Sequence, residues 1–153
     1  MDTTADLHLE TDRAQRALQT LLRGELTAAE TYEIALARLG GRAPIELLMC
    51  LDSHQKRVEL LTVRMVELGA RPDDRSGLWG AFVRLVENGA TLLGTRVVLG
   101  SLEEGEDHGL AQYRELMNEL DPETRRQIEA DILPEQVRTH GHISRLCNRA
   151  VEL

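Results

Sequence analysis

Apolar residues recur at helical spacing through most of the chain. Leu18, Leu21, Leu22, Glu25, Ala28, Tyr32 and Leu39 follow helical spacing with no proline between them. A first helix is therefore expected from about Asp12 to Leu39, with Thr11 placed to cap it and Gly40-Gly41 to stop it. Pro44 suits a first-turn position and opens a second helix, Ile45 to Leu68, which Gly69-Ala70-Arg71-Pro72 ends. Its inward stripe reads Leu47, Leu51, His54, Val58, Leu61, Met65 and Leu68, and the short connection makes the two helices antiparallel neighbours. Charge, proline and glycine then concentrate in a linker from Arg71 to Gly77. The segment Leu78 to Leu93, with Trp79 and Phe82, reads as a crossover helix bounded by Gly94; Asn88-Gly89 and Gly94-Thr95 weaken the alternative of one long helix reaching Leu120.

A further helix is expected over about Arg96 to Leu120, carrying glycines at 100, 105 and 109 that imply close backbone approach or room for a bulky group opposite. Asp121-Pro122 is an N-cap with proline at the first helical position, and the last helix runs from there to about Val151, kinked or divided at Pro134. Beyond Pro134, Val137, His140, Ile143, Ser144, Cys147 and Val151 share a stripe and His142 lies off it. Residues 1–10 are polar without a sustained period and are expected to form a flexible tail, leaving residues 11–153 as one domain. The fold class is all-α: a four-helix bundle of two antiparallel hairpins joined by a helical crossover.

One stretch occurs twice. Gly24-Glu25 precedes Tyr32 as Gly105-Glu106 precedes Tyr113, which puts each glutamate and tyrosine two turns apart on one helical face. Both glutamates interrupt apolar stripes, and a carboxylate is almost never buried without a partner or a metal. With His54 and His140, the four main helices each present one ionisable side chain inward, and Tyr32 and Tyr113 stand beside them as supporting groups.

Composition narrows the field. A chain of 153 residues suits one core, and 3% aromatic residues suit helices better than sheets. A net charge of −8, from 18 basic and 26 acidic residues without basic clusters, argues against a nucleic-acid surface. No apolar run spans a membrane and no secretory signal opens the chain, so a cytoplasmic location is the expectation. Cys50 and Cys147 lack metal or redox spacing and read as small buried hydrophobes. Trp79 and Phe82 either pack the crossover on the bundle, the preferred reading, or belong to a homodimer surface. No phosphate loop, G-x-S-x-G or H-E-x-x-H occurs, which leaves nucleotide enzymes, hydrolases and zincin proteases without support.

Gly-Glu…Tyr, the mid-helix His54, Glu104-Gly105-Glu106-Asp107 with Tyr113-Arg114-Glu115, and Glu135-Gln136 with His140 together resemble the ferritin-like superfamily. More narrowly they are similar to an uncharacterised bacterial group of small ferritin-like proteins labelled DUF2383, a likeness covering roughly residues 13 to 151. That group has no established activity to carry over. The wider superfamily implies a di-iron centre with oxygen, peroxide or storage chemistry, and its ligand positions fall on Glu25, His54, Glu106 and His140. The two bridging glutamates fall on Leu51 and Val137, so a standard di-iron oxidase is not expected. Two readings stand. One is a single Fe, Zn or Mn ion on those four groups, serving a redox, stress or storage role. The other is a metal-free bundle, an interaction or structural module in which the acids pair with histidines and tyrosines.

Overall fold

The computed structural model describes residues 3–75 and 94–151. The expected crossover helix, with Trp79 and Phe82, lies outside the described residues. Helix α1 spans Thr3–Leu39, α2 Ile45–Glu67 and α3 Thr95–Leu116. The last rod is composite: α4 (Pro122–Gln127), a π turn (Ile128–Ile132) and α5 (Leu133–Val151). No strand occurs among the described residues, and none of these helices is long and apolar enough to cross a membrane. The chain is an all-α four-helix bundle, as its periodicity predicts.

Side-chain bridges fix the directions of the rods. Gln15 on α1 reaches the Leu68 carbonyl at the far end of α2, and Arg13 pairs with Glu119 just past α3. Arg96 at the start of α3 donates to the Ala150 carbonyl at the end of α5, at 2.9 Å. Neighbouring rods in each of these pairs are therefore antiparallel. Gly69, at φ 75°, closes α2 with the Ala70 amide on the Met65 carbonyl at 2.9 Å, a left-handed C-terminal cap. Asp121 caps α4 as expected, accepting from the Thr124 amide at 3.0 Å, with Pro122 at the first helical position. Arg125 answers the end of α3 by donating to the carbonyls of Met117 and Leu120.

Two expectations are corrected here. The tail at residues 1–10 is helical from Thr3, although residues 4–13 are exposed. No glycine or proline interrupts the run before Gly24, and Asp6 in the first turn complements the helix dipole, so the helix propagates outward from its packed part. Thr11 is no cap: its hydroxyl donates back to the Leu7 carbonyl inside the helix.

The second correction concerns the last rod. Pro134 has no N–H for the carbonyl four residues earlier, and the chain absorbs this in the preceding π turn, where the Leu133 amide bonds to the Ile128 carbonyl. From the π turn onward the buried positions are Ile128, Ile132, Gln136, Thr139, Ile143 and Leu146, while Val137 is 52% exposed. The expected stripe through Val137 and His140 is thus displaced by one residue. Ile143 belongs to both stripes, and helical period alone does not choose between its neighbours three and four residues back.

The core is split in two. One apolar cluster holds Leu18, Leu22, Leu61, Met65, Ile128 and Ile132; the other holds Leu39, Leu47, Cys50, Leu99, Leu102 and Ile143. In every rod the residues between these two sets include a buried polar side chain: Glu25, His54 with Arg57, Glu106, and Gln136 with Thr139. A polar plate therefore crosses the middle of the bundle.

Candidate functional site

Each member of the plate comes from an amphipathic helix that buries apolar residues one or two turns to either side, so the side chain has nowhere to go but inward. His54 is the hinge of the arrangement. Its Nδ1 lies 2.7 Å from Glu25 Oε2 and its Nε2 2.9 Å from Glu106 Oε1, so one ring joins the two carboxylates of the repeated stretch. The tyrosines cross over: Tyr32 donates to Glu106 Oε1 and Tyr113 to Glu25 Oε1, both at 2.6 Å. Each glutamate is thus served by the tyrosine of the other repeat, and the sequence repeat is expressed as a reciprocal pair across the α1/α3 interface.

Arg57 completes the plate and was not singled out by sequence. It is 1% exposed, the largest fully buried side chain described. Its Nη1 donates to Glu25 Oε1 at 3.1 Å and to Gln136 Oε1, and its Nη2 to Thr139 Oγ1 at 3.3 Å. Nη2 also lies 2.9 Å from His54 Nδ1, to which it can donate only if that nitrogen is bare; with Nδ1 protonated toward Glu25 instead, two cationic donors face each other and the Glu25 carboxylate bridges them. Gln136 Nε2 and Thr139 Oγ1 donate to Glu106 Oε2 at 3.0 and 2.9 Å. Gly109 lets Gln136 in, since a Cβ there would stand 3.1 Å from its amide nitrogen.

The electrostatics follow from this geometry. Burial opposes ionisation of Glu25, but the charges of Arg57 and His54 and the bonds from His54 and Tyr113 outweigh it and hold the carboxyl below its usual range. Glu106 is likewise depressed against its burial, by the bond and charge of His54 and the hydroxyls of Tyr32 and Thr139. Burial alone would lower His54; the Glu25 charge and the bonds to both carboxylates raise it instead. Both tyrosines are pushed upward, by burial first and the adjacent carboxylates second, and remain protonated donors. With His54 protonated, two carboxylates, one guanidinium and one imidazolium sum to zero.

His140 stands apart. Its Nε2 meets Asp107 Oδ1 at 2.5 Å near the surface, with 29% of the side chain exposed, so the fourth expected ligand does not join the other three. Of the positions aligned with bridging glutamates, Leu51 is half-buried against the second apolar cluster and Val137 is exposed. The expected metal set of Glu25, His54, Glu106 and His140 is accordingly not assembled as four: Glu25, His54 and Glu106 meet, and His140 does not join them. Both His54 nitrogens are engaged by carboxylates, Glu106 accepts four bonds, and a dication would add charge to a plate already neutral. Among the described residues no group of three metal-binding side chains has the geometry of a site.

Between α1 and α3 a partly open cavity of about 480 Å³ descends to the plate. Its floor is formed by Glu25, His54, Glu106, Tyr32, Tyr113 and Gln136. His108 is exposed at the same cavity, whereas Glu135 belongs to a separate surface knot, where the Arg138 hydrogen bond holds its carboxyl down to about 2 and Ser53 donates at 2.8 Å. Cys50 is buried, its thiol pushed up to about 11 by burial, and Cys147 is half-buried.

Arg57 was discoverable in principle. Two buried acids and one histidine leave the charge one unit short, and Arg57 is the basic residue one turn beyond His54. Gln136 and Thr139 offered no comparable signal. A scan against protein-family models finds no match, and searches of curated proteins and of solved structures also find none.

Proposed function

We propose that this protein is a metal-independent, non-catalytic helical binding module that receives its ligand in the cavity between α1 and α3. The observation that supports this best is the position of Arg57: the cavity ends on carboxylates whose counter-charge is supplied from within the chain. In this reading the bundle is ferritin-like, and a guanidinium with an imidazolium takes the part that metal ions play in that superfamily. The floor is also unsuited to acid–base or nucleophilic work. Its acids and its histidine are locked to one another, and both tyrosines are held protonated.

Metal analysis of untagged protein tests the reading. Metal far below one equivalent is expected, with a thermal midpoint indifferent to EDTA. A bound ion would behave differently, because free metal at a thousandfold excess over its Kd adds about 4 kcal/mol to the folded state. Stoichiometric metal that disappears in the Glu25→Ala variant would sink the proposal.

A further inference from the structure

The cavity between α1 and α3 inherits the sequence repeat. Every α3 residue that lines it stands at the same offset from an α1 lining residue as Glu106 does from Glu25. The walls are therefore paired as well as the floor: Thr20 with Ser101, Gly24 with Gly105, Ala28 with Gly109. Small residues at spacing four on two facing helices ordinarily bring the backbones together. Here a cavity of about 480 Å³ lies between them; a Cβ on Gly105 would meet nothing within 4 Å, while Gln112 takes the space beside Gly24 and Gln136 that beside Gly109. Such a volume is within the range of small-molecule sites, about 300–1,000 Å³.

The occupant's chemistry is set by the floor. Glu106 has four donors, and Glu25 Oε1 has two, from Tyr113 and Arg57. Glu25 Oε2 accepts only from His54 among the described residues, which leaves one acceptor position. A charged ligand would disturb a plate that sums to zero, at the cost of desolvating an unbalanced charge. The walls, built mostly of glycine, alanine, threonine and leucine with Ser101 and Gln112, offer mainly apolar contact; their ionisable groups are Arg23, paired with Asp73 at 2.6 Å, and the exposed His108.

We propose that the α1/α3 cavity binds a small, uncharged, mainly apolar molecule carrying one hydrogen-bond donor, which reaches Glu25 at the floor. The proposal rests on the metal-independent reading of the plate and specifies its ligand class. The experiment titrates EDTA-treated full-length protein with four probes of one size, benzyl alcohol, toluene, benzoate and benzylammonium, followed by amide NMR shifts. Saturable binding of benzyl alcohol is expected, with shifts along residues 20–32 of α1 and 101–113 of α3. Toluene binds about tenfold more weakly for want of the donor, and neither ion competes. Gly105→Leu fills the cavity and weakens benzyl alcohol at least about tenfold, since more than one methylene's worth of contact is displaced, while the thermal midpoint holds. Gly100→Leu, on the same helix where a Cβ also meets nothing and outside the cavity, leaves binding intact.

Absence of saturable binding by metal-free protein, equal binding of an ion, shifts located elsewhere, or indifference to Gly105→Leu each overturns the proposal. Because the protein has been chelated and its metal content measured separately, such a failure is distinct from failure of the metal-independent reading.

Discussion

Replacing Arg57 with methionine lowers the stability of the bundle by about 3–5 kcal/mol, the range for breaking a buried ion pair by removing one partner. For a domain of this size that is a fall in thermal midpoint of about 10 °C. The side chain is 1% exposed, so methionine of similar length fills the space and the loss is electrostatic. Glu25 and Gln136 each lose a donor, and the plate passes from neutral to a net negative charge. Urea unfolding followed by circular dichroism measures the loss. Combining Arg57→Met with Glu25→Gln restores neutrality, so the double variant is more stable than the sum of the two single losses implies. Strict additivity would show that Arg57 and Glu25 do not act as a pair.

The second large effect is a stability profile that declines on both sides of a plateau. Glu25 and Glu106 are depressed from their ordinary 4.5, so their contribution is present above that pH and is lost as pH falls through the lower folded values. His54 is raised from 6.5, so its contribution is complete below pH 6.5 and is lost as pH rises through the higher folded value. The plateau therefore lies between pH 4.5 and 6.5. Each limb steepens toward about 1.4 kcal/mol per pH unit per proton exchanged. Denaturation midpoints taken between pH 6.5 and 9 isolate the His54 limb, and His54→Gln flattens it; because His54 also helps to depress both carboxyls, the acid limb becomes shallower in the same variant. A wild-type profile that is level across that interval contradicts the assignment.

What the sequence disclosed and what it hid have physical reasons. Glu25, Glu106, Tyr32 and Tyr113 were legible because they repeat at one spacing inside apolar stripes, and a buried acid stands out there. Asp121-Pro122 was legible because capping is local chemistry, and the structure keeps it unchanged. The inward face of the last helix was not. Its two central positions, Gln136 and Thr139, are polar, so the apolar pattern fades where the face must be read, and Val137 and His140 next to them drew the stripe aside. Arg57 was obscured for the complementary reason: arginine is so often a solvated surface residue that helical period alone does not mark it as interior. The first helix ran longer than its apolar period because nothing in residues 3–13 stops it, and a pattern of burial does not report helix that is not buried.

The charge balance of the plate turns on the protonation of one ring, since His54 bridges two ionised carboxylates only as an imidazolium. The direct measurement is ¹⁵N NMR of the His54 side chain at pH 7.5, assigned through the His54→Gln variant. A doubly protonated ring is predicted, with both N–H protons held in slow exchange against Glu25 and Glu106. A neutral ring with one bare nitrogen at that pH would contradict it, and the internally balanced plate would have to be given up.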